Sequence, residues 1–331
     1  MFKINENSIE QNLIELLKKQ DYKYLHGSQI ERNLDSVILE EELKNSLKRL
    51  NPLLPQSART EAYNQILHVG SSDMMASNEK FHNLLCEGVT VEYEKDGNTQ
   101  GINVKIIDLE DIDSNDFLVV NQFIIKENNN EKRLDVVLFI NGLPLVIIEL
   151  KNALDEKATL HKAYTQIQNY KNAIPSIFYY NALTIISDGI DARVSSLSAP
   201  YSRYLAWKSP EKKENETLPE LQIMTQRMFK KDVLLHLIRF NTVYEKEEIK
   251  NEKTGILSIV TIKKIAAYHQ YYAIQKAIQK TLEALGNSQK IGVVWHTQGS
   301  GKSLSMVFYT GQLVVNKDMK NPTIVILTDR N

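Results

Sequence analysis

Arg133-Leu-Asp-Val-Val-Leu-Phe-Ile-Asn-Gly-Leu-Pro-Leu-Val-Ile-Ile-Glu-Leu-Lys151 reads, after its opening Arg133, as two apolar strands carrying three further ionisable groups. Asp135 lies in the first strand, and Glu149 and Lys151 lie at the end of the second. A carboxylate buried among such residues is costly unless it is paired or binds a metal. Strand side chains alternate faces, so Glu149 and Lys151 project to one side while Leu150 points into the opposite layer. Two carboxylates beside one ammonium on one hairpin face make a divalent-metal site with a cation at its edge. That composition suits phosphodiester hydrolysis. The bland reading is a buried hairpin with charges at its strand ends; the spaced Asp and the apolar strands on both sides favour the site.

The turn adds a constraint. If Asn141-Gly142 is a simple two-residue turn, position 135 pairs with 148 and Asp135 faces away from Glu149, because a one-residue slip inverts a strand's faces. A shared site therefore needs a longer turn through Asn-Gly-Leu-Pro, or a bulge. Pro144 has no N–H for the ladder, which favours an irregularity near the turn.

Asp135 and Glu149-Leu150-Lys151 together resemble the PD-(D/E)xK nuclease superfamily. Gln166 and Tyr170 follow as Gln-x-x-x-Tyr on an expected helix, and i, i+4 spacing stacks them on one face. That pair is similar to the extra motif of the RecB-like branch. The expectation is that both border the metal site and face DNA or a motor; a plain core aromatic is the alternative for Tyr170.

A second signal lies near the other end. Lys290-Ile-Gly-Val-Val-Trp295 reads as a buried strand, followed by His296-Thr297-Gln298-Gly299-Ser300-Gly301-Lys302-Ser303 and an apolar helix over 304–315. Strand, Gly-rich turn and helix are the context of a P-loop, whose backbone N–H groups cradle phosphates. Thr297 to Gly301 would form the cradle, Lys302 would reach the outer phosphates of ATP, and the Ser303 hydroxyl would ligate Mg²⁺. His296 stands where the usual pattern has Gly. Gln270, 32 residues before Lys302, resembles the glutamine with which superfamily 2 helicases read adenine; a solvated helix residue is the plain alternative. Thr323-Ile-Val-Ile-Leu-Thr-Asp-Arg330 reads as another buried strand, resembling the helicase segment that touches the nucleic-acid backbone.

The order, nuclease then helicase, resembles the restriction (HsdR) subunit of type I restriction-modification enzymes. Asn-Gly-Leu-Pro-Leu, Trp-His-Thr-Gln-Gly-Ser-Gly-Lys-Ser and the closing Leu-Thr-Asp-Arg-Asn carry the likeness, and 28–80 is the stretch least anchored by motifs. The resemblance implies an α/β chain: a PD-(D/E)xK nuclease fold, with a mixed sheet flanked by helices, then the beginning of a RecA-like P-loop domain. It implies Mg²⁺ and ATP as cofactors, double-stranded DNA as substrate, and methylation (HsdM) and specificity (HsdS) subunits as partners. It also gives Glu10 the place of an additional active-site glutamate; the alternative is an ordinary first-turn Glu favoured by the helix dipole. Other readings are a nuclease–helicase fusion of DNA repair or phage defence, and a non-catalytic DNA-binding or assembly module. The chain reads as the N-terminal piece of a longer protein, so the expectation is no ATPase and no translocation from these parts alone.

Bulk properties set wider bounds. The 331 residues suit two domains, expected at 1–250 and 251–331 with the boundary at 240–260. With 42% hydrophobic and 24% charged residues the chain is an ordinary globular protein rather than a disordered one. A net charge of −1 means that any DNA footprint is a local patch. The one cysteine, Cys86, excludes an intrachain disulfide and suits a reducing cytoplasm. The start of the chain is no signal peptide, and the apolar run 134–150 is too interrupted to span a membrane.

Local signals fill in the remainder. Ser8 is expected to cap a helix from Ile9, and 39–50 to form an amphipathic helix ended by Asn51-Pro52. Strands are expected at 89–93 and 102–107, a loop at 126–132, a helix near 158–173, a strand at 182–186 with a turn at 187–189, and a helix over 233–240. Ser209 to Pro219 reads either as a linker or as a surface loop inside the first domain.

Overall fold

The computed structural model describes residues 6–95, 98–152, 160–250, 257–285 and 290–327. In chain order the elements begin with α1 (Glu6–Lys18), β1 (Lys23–His26), α2 (Glu40–Leu50), α3 (Gln56–Leu67), α4 (Met74–Glu87), β2 (Val89–Lys95) and β3 (Asn98–Val104). The long strands follow: β4 (Phe117–Glu127), β5 (Asn130–Ile140) and β6 (Leu143–Leu150). Then come α5 (Leu160–Ala173), α6 (Ser176–Tyr179), β7 (Leu183–Ser187), β8 (Ala192–Ser195), α7 (Lys212–Thr217), α8 (Glu220–Arg227) and α9 (Lys231–Phe240). The last are β9 (Thr242–Lys250), β10 (Leu257–Ile265), α10 (Tyr268–Leu285) and α11 (Lys302–Val315).

A mixed six-stranded sheet of order β1-β4-β5-β6-β7-β8 organises the first unit, with helices packed on it, α1 on β1, β4 and β6 and α5 on β5, β6 and β7. β4, β5 and β6 form an antiparallel meander, and the β1–β4 and β6–β7 pairs are parallel. Every residue of β6 is buried, as expected for a central strand covered on both faces. Two smaller hairpins, β2–β3 and β9–β10, stand apart from this sheet. The chain divides into two compact units: residues 1–235 with 244–264, and residues 236–243 with 265–331.

Several local expectations are corrected. α1 begins at Glu6, so Ser8 lies inside the helix rather than capping it. The polar run 126–132 is no loop: Lys126 pairs with Glu131 and Glu127 with Asn130 across a two-residue turn, with Asn128 taking φ 52°. Asn accepts the left-handed region that such turns need. β3 covers 98–104 rather than 102–107, because Val89 pairs with Val104 and the ladder runs back to Lys95 opposite Asn98. Of the two readings of residues 209–219, the surface segment inside the first unit is the one seen: most of it is exposed, Asn215 bonds the Ser209 backbone at both its N–H and C=O, and Arg227 pairs with Glu214.

The two apolar runs near the end are not strands. Val293 is 94% exposed, Trp295 80% and Leu327 91%, and residues 290–297 and 322–327 have no ladder partner among the described residues. An extended segment is held by neighbours on its hydrogen-bonding edges, and without them its apolar pattern cannot produce a strand. The expected Thr-Asp-Arg at 328–330 lies outside the described residues.

The first unit also buries a lysine on two amide oxygens. Lys263 of β10 donates from Nζ to Asn78 Oδ1 at 3.1 Å and to the Asn181 carbonyl at 2.8 Å. Burial pulls its pKa down to about 7, opposed only by the nearby Cys86 thiol. An unfolded lysine titrates near 10.4, so between the two values the unfolded state holds a proton that the native state lacks. Stability contributed here therefore rises with pH from about 7 toward 10. Lys263→Met abolishes that slope, and its Tm relative to wild type should fall by several degrees (roughly 2–4 °C per kcal/mol) between pH 6.5 and 9.5. Thermal unfolding across that range checks it; a constant difference would mean that Lys263 titrates normally.

Candidate active site

The hairpin of β5 and β6 resolves the turn question in favour of a bulge. Asn141 and Gly142, at φ 52° and 81°, form a simple two-residue turn, with Ile140 opposite Leu143 and Phe139 opposite Pro144. Gly142 is required here, because a Cβ would lie 2.5 Å from the Leu39 carbonyl oxygen. The register then shifts: Leu138 pairs with Val146, leaving Leu145 as the extra residue directly after Pro144. Val137 faces Ile147 and Val136 faces Ile148. One further step in the same register sets Asp135 opposite Glu149, on one face.

The side chains meet accordingly. Leu150 N–H donates to Asp135 Oδ2 at 2.8 Å. Lys151 Nζ donates to Glu149 Oε1 at 2.5 Å and to the Leu150 carbonyl at 2.8 Å, with Glu6 3.6 Å away. Glu149 is only 2% exposed, and its Oε2 is buried without a hydrogen-bond partner. Burial, then the charge of Asp135, push Glu149 up to about 8; Lys151 and the Tyr170 hydroxyl oppose the rise. Burial likewise raises Asp135 to about 6, against the Leu150 N–H and Lys151, while Glu6 and Glu10 add to it. For Lys151, burial acts to lower the pKa, but Glu149, Asp135 and Glu6 outweigh it and raise it.

Two acidic side chains are thus held together with too little positive charge. A hard divalent cation fits this donor set: Glu149 Oε2 has a free buried lone pair, Asp135 faces it, and both are oxygen ligands. Among the described residues no group of three or more His, Cys, Asp or Glu forms a ready metal cluster, so water or substrate oxygens would complete the shell.

Tyr170 reaches the same pair from α5. It is 3% exposed and faces the core rather than solvent, a correction to the expected orientation. Its hydroxyl donates to the Arg133 carbonyl at 3.1 Å. Burial and the Glu149 charge push the phenol well above its ordinary range, while the Gln166 side chain acts the other way. Gln166 itself is half-buried. Glu10 is no solvated first-turn residue. It is buried on α1, and its Oε1 and Oε2 accept 2.6 Å hydrogen bonds from Asn121 Nδ2 and Gln122 Nε2. Asn121, Gln122 and Glu6 were missed in the sequence. The available signal was Asn-Gln interrupting the apolar run Val119-Val120…Phe123.

The Gly-rich segment expected to form a P-loop lies in the second unit. Gly299 and Gly301 take φ 80° and 78°, and Lys302 opens α11 with Ser303 in its first turn. Lys302 Nζ donates to the carbonyls of His296 and Thr297, each at 3.1 Å, and the Ser300 hydroxyl donates to Thr297 O at 2.7 Å. Thr297, Gln298 and Gly299 are exposed. Gln270 is buried, accepts from Ala267 N–H at 2.9 Å and donates to the Gly301 carbonyl at 3.0 Å. Both ends of its amide are therefore engaged, one of them with the loop.

Residues 3–203 match the family described as the type I restriction enzyme R protein N terminus, and residues 269–331 match the SWI2/SNF2 ATPase family. The chain belongs to the type I restriction R-protein family. It is 39% identical over 99% of its length to the type I restriction enzyme HindI endonuclease subunit of Haemophilus influenzae, covering 32% of that protein. It is 28% identical over 99% of its length to the putative type I restriction enzyme MjaIXP endonuclease subunit of Methanocaldococcus jannaschii, covering 33% of it. The chain thus spans about a third of the length of these relatives. Within this R-protein segment the first matched region contains Glu10, Asp135, Glu149, Lys151, Gln166 and Tyr170, and the second contains Gln270 and residues 297–303.

The electrostatics predict a stability signature. In metal-free buffer above about pH 8, where the Glu149 carboxyl is ionised, Glu149→Gln should raise Tm, because it removes a buried charge facing Asp135 and gives the second position a neutral amide. The gain is on the order of 1–3 kcal/mol, the cost of an unsatisfied buried group. Differential scanning calorimetry in chelator checks it, and an equal or lower Tm would show that the carboxylate is already satisfied.

Proposed function

We propose that residues 1–250 are the Mg²⁺-dependent endonuclease domain, and residues 251–331 the ATP-binding beginning of the motor, of a type I restriction enzyme subunit that cleaves double-stranded DNA. The carrying observation is the bulge at Leu145, which sets Asp135 opposite Glu149 with Lys151 at the edge. Asp135 and Glu149 would hold Mg²⁺, which supplies Lewis-acid stabilisation of the phosphodiester and activation of water when bound. Lys151 orients the attacking water and stabilises negative charge that develops on the phosphorus oxygens. Tyr170 closes the helix side of the pair with its hydroxyl on the Arg133 carbonyl, and Gln166 lies at the more exposed edge, where DNA approaches. In the second unit Lys302 would reach the outer phosphates of ATP and the Ser303 hydroxyl would ligate its Mg²⁺.

The names of the relatives support a restriction complex, and the methylation and specificity subunits are the partners proposed for this chain. ATP-driven translocation belongs to the full-length subunit. No helix among the described residues is long and apolar enough to cross a membrane; with its one cysteine, the chain is proposed to work in the cytoplasm beside its DNA.

The two activities separate by mutation. In the full-length subunit assembled with its partners, Asp135→Ala, Glu149→Ala or Lys151→Ala should lower DNA cleavage below about 1% of wild type while ATP hydrolysis persists. Lys302→Ala should do the reverse at the first step, eliminating ATP turnover and with it any cleavage that depends on translocation. Cleavage and ATPase assays on the same preparations decide. Wild-type cleavage in any of the first three variants removes that residue from the mechanism.

A further inference from the structure

Beside the Asp135–Glu149 pair, β4 carries a local break. Its ladder with β5 keeps one register throughout, Asn121 opposite Val136 and Phe123 opposite Leu134, yet Gln122 makes no pair. In that register its place is opposite Asp135. Gln122 has φ 53°, in the left-handed region that a residue with a long side chain seldom occupies. The neighbouring turn is built to allow it: a Cβ on Gly27 would lie 2.4 Å from the Gln122 carbonyl oxygen.

The break has one evident product. Gln122 Nε2 donates to Glu10 Oε2 while Asn121 Nδ2 donates to Glu10 Oε1, each at 2.6 Å, and both carboxylate oxygens are thereby gripped. Asn121 is itself oriented by the Tyr24 hydroxyl, which donates to its Oδ1 at 3.1 Å. Adjacent residues on a regular strand point to opposite faces and cannot both reach one carboxylate. The left-handed residue removes that restriction. Glu10 lies close enough to Asp135 for its charge to act there.

We propose that Gln122 is a positioning residue of the cleavage site: its left-handed backbone turns the carboxamide onto Glu10 and, with Asn121, fixes that carboxylate beside the Asp135–Glu149 pair. This deepens the nuclease reading and rests on it. Amide donors suit the task because they hold a carboxylate's geometry without exchanging a proton with it. A residue that only satisfied a buried carboxylate would need no strained backbone, since a donor on an ordinary strand position would serve.

The test uses Gln122→Gly, Glu10→Ala and the double variant of this chain, with Mn²⁺ binding by calorimetry and Tm, and with cleavage measured in the full-length subunit with its partners. Gln122→Gly relieves the left-handed strain but also leaves Glu10 Oε2 without its donor, two effects of opposite sign on Tm, while Mn²⁺ affinity falls about tenfold, the scale of lost outer-shell support. Gln122→Asn tolerates the backbone and should recover part of the affinity. The double variant should bind no more weakly than Glu10→Ala, because Gln122 acts through Glu10. Wild-type Mn²⁺ affinity in Gln122→Gly, or a fall in Tm with affinity unchanged, would leave Gln122 a structural residue only. Additive losses in the double variant would show that it acts by another route. If the wild-type chain itself binds no Mn²⁺, the metal-site reading fails and this inference with it, an outcome distinct from failure of the clamp alone.

Discussion

One residue inserted between Pro144 and Val146 determines the chemistry available to the first unit. The Asn141-Gly142 turn pins one end of the β5–β6 ladder, and the apolar faces of both strands pin the other. Without Leu145 as an extra residue, the tight turn would put Asp135 and Glu149 on opposite faces, one carboxylate in each layer. Each would then be buried alone. Proline at 144 contributes by withholding an N–H at the point where the ladder changes register, so the bulge leaves one fewer donor unpaired. The site thus follows from a backbone decision made several residues away from any charged group.

The same decision creates an electrostatic cost that the protein's own groups do not fully offset. Lys151 balances part of the charge, but one oxygen of Glu149 is buried with no partner, and both carboxylates are pushed up by burial. Groups held this way are destabilising in the fold and useful in binding a cation, since the ion gains what the protein lacks. Glu10 is treated differently: both of its oxygens are satisfied by side-chain amides. Two kinds of carboxylate therefore stand near one another, one pair left wanting a cation and one held still.

Much of this was legible in the sequence because the motif and its environment share one short stretch. Asp135, Glu149 and Lys151 stand out against apolar neighbours, and the conflict between a tight turn and a shared face already demanded an irregularity near Pro144. Its location at Leu145 was not legible, because a longer turn satisfies the same constraint. The Glu10 clamp was also hidden: α1 and β4 are more than a hundred residues apart in sequence, and nothing local to Glu10 announces Asn121. The loop expected at 126–132 failed for the opposite reason. Polar composition suggested a break, whereas pairing with β5 carried the strands through to a two-residue turn at Asn128.

The second unit separates what a motif fixes locally from what it needs from afar. Gly299 and Gly301 adopt positive φ and Lys302 starts its helix within a few residues, so the loop has its shape from local backbone freedom. The flanking apolar runs 290–295 and 323–327 depend on neighbours for a ladder, and here they form no strand and stay mostly exposed. Lys302 meanwhile donates to the loop's own carbonyls at His296 and Thr297. A phosphate would offer that ammonium a full negative charge in place of two neutral acceptors, so exchanging them is favourable and leaves the loop backbone as it is. The Asp135–Glu149 face is the converse case. Its carboxylates are brought together by strand register across a completed sheet, and no rearrangement of one loop could produce or abolish that placement.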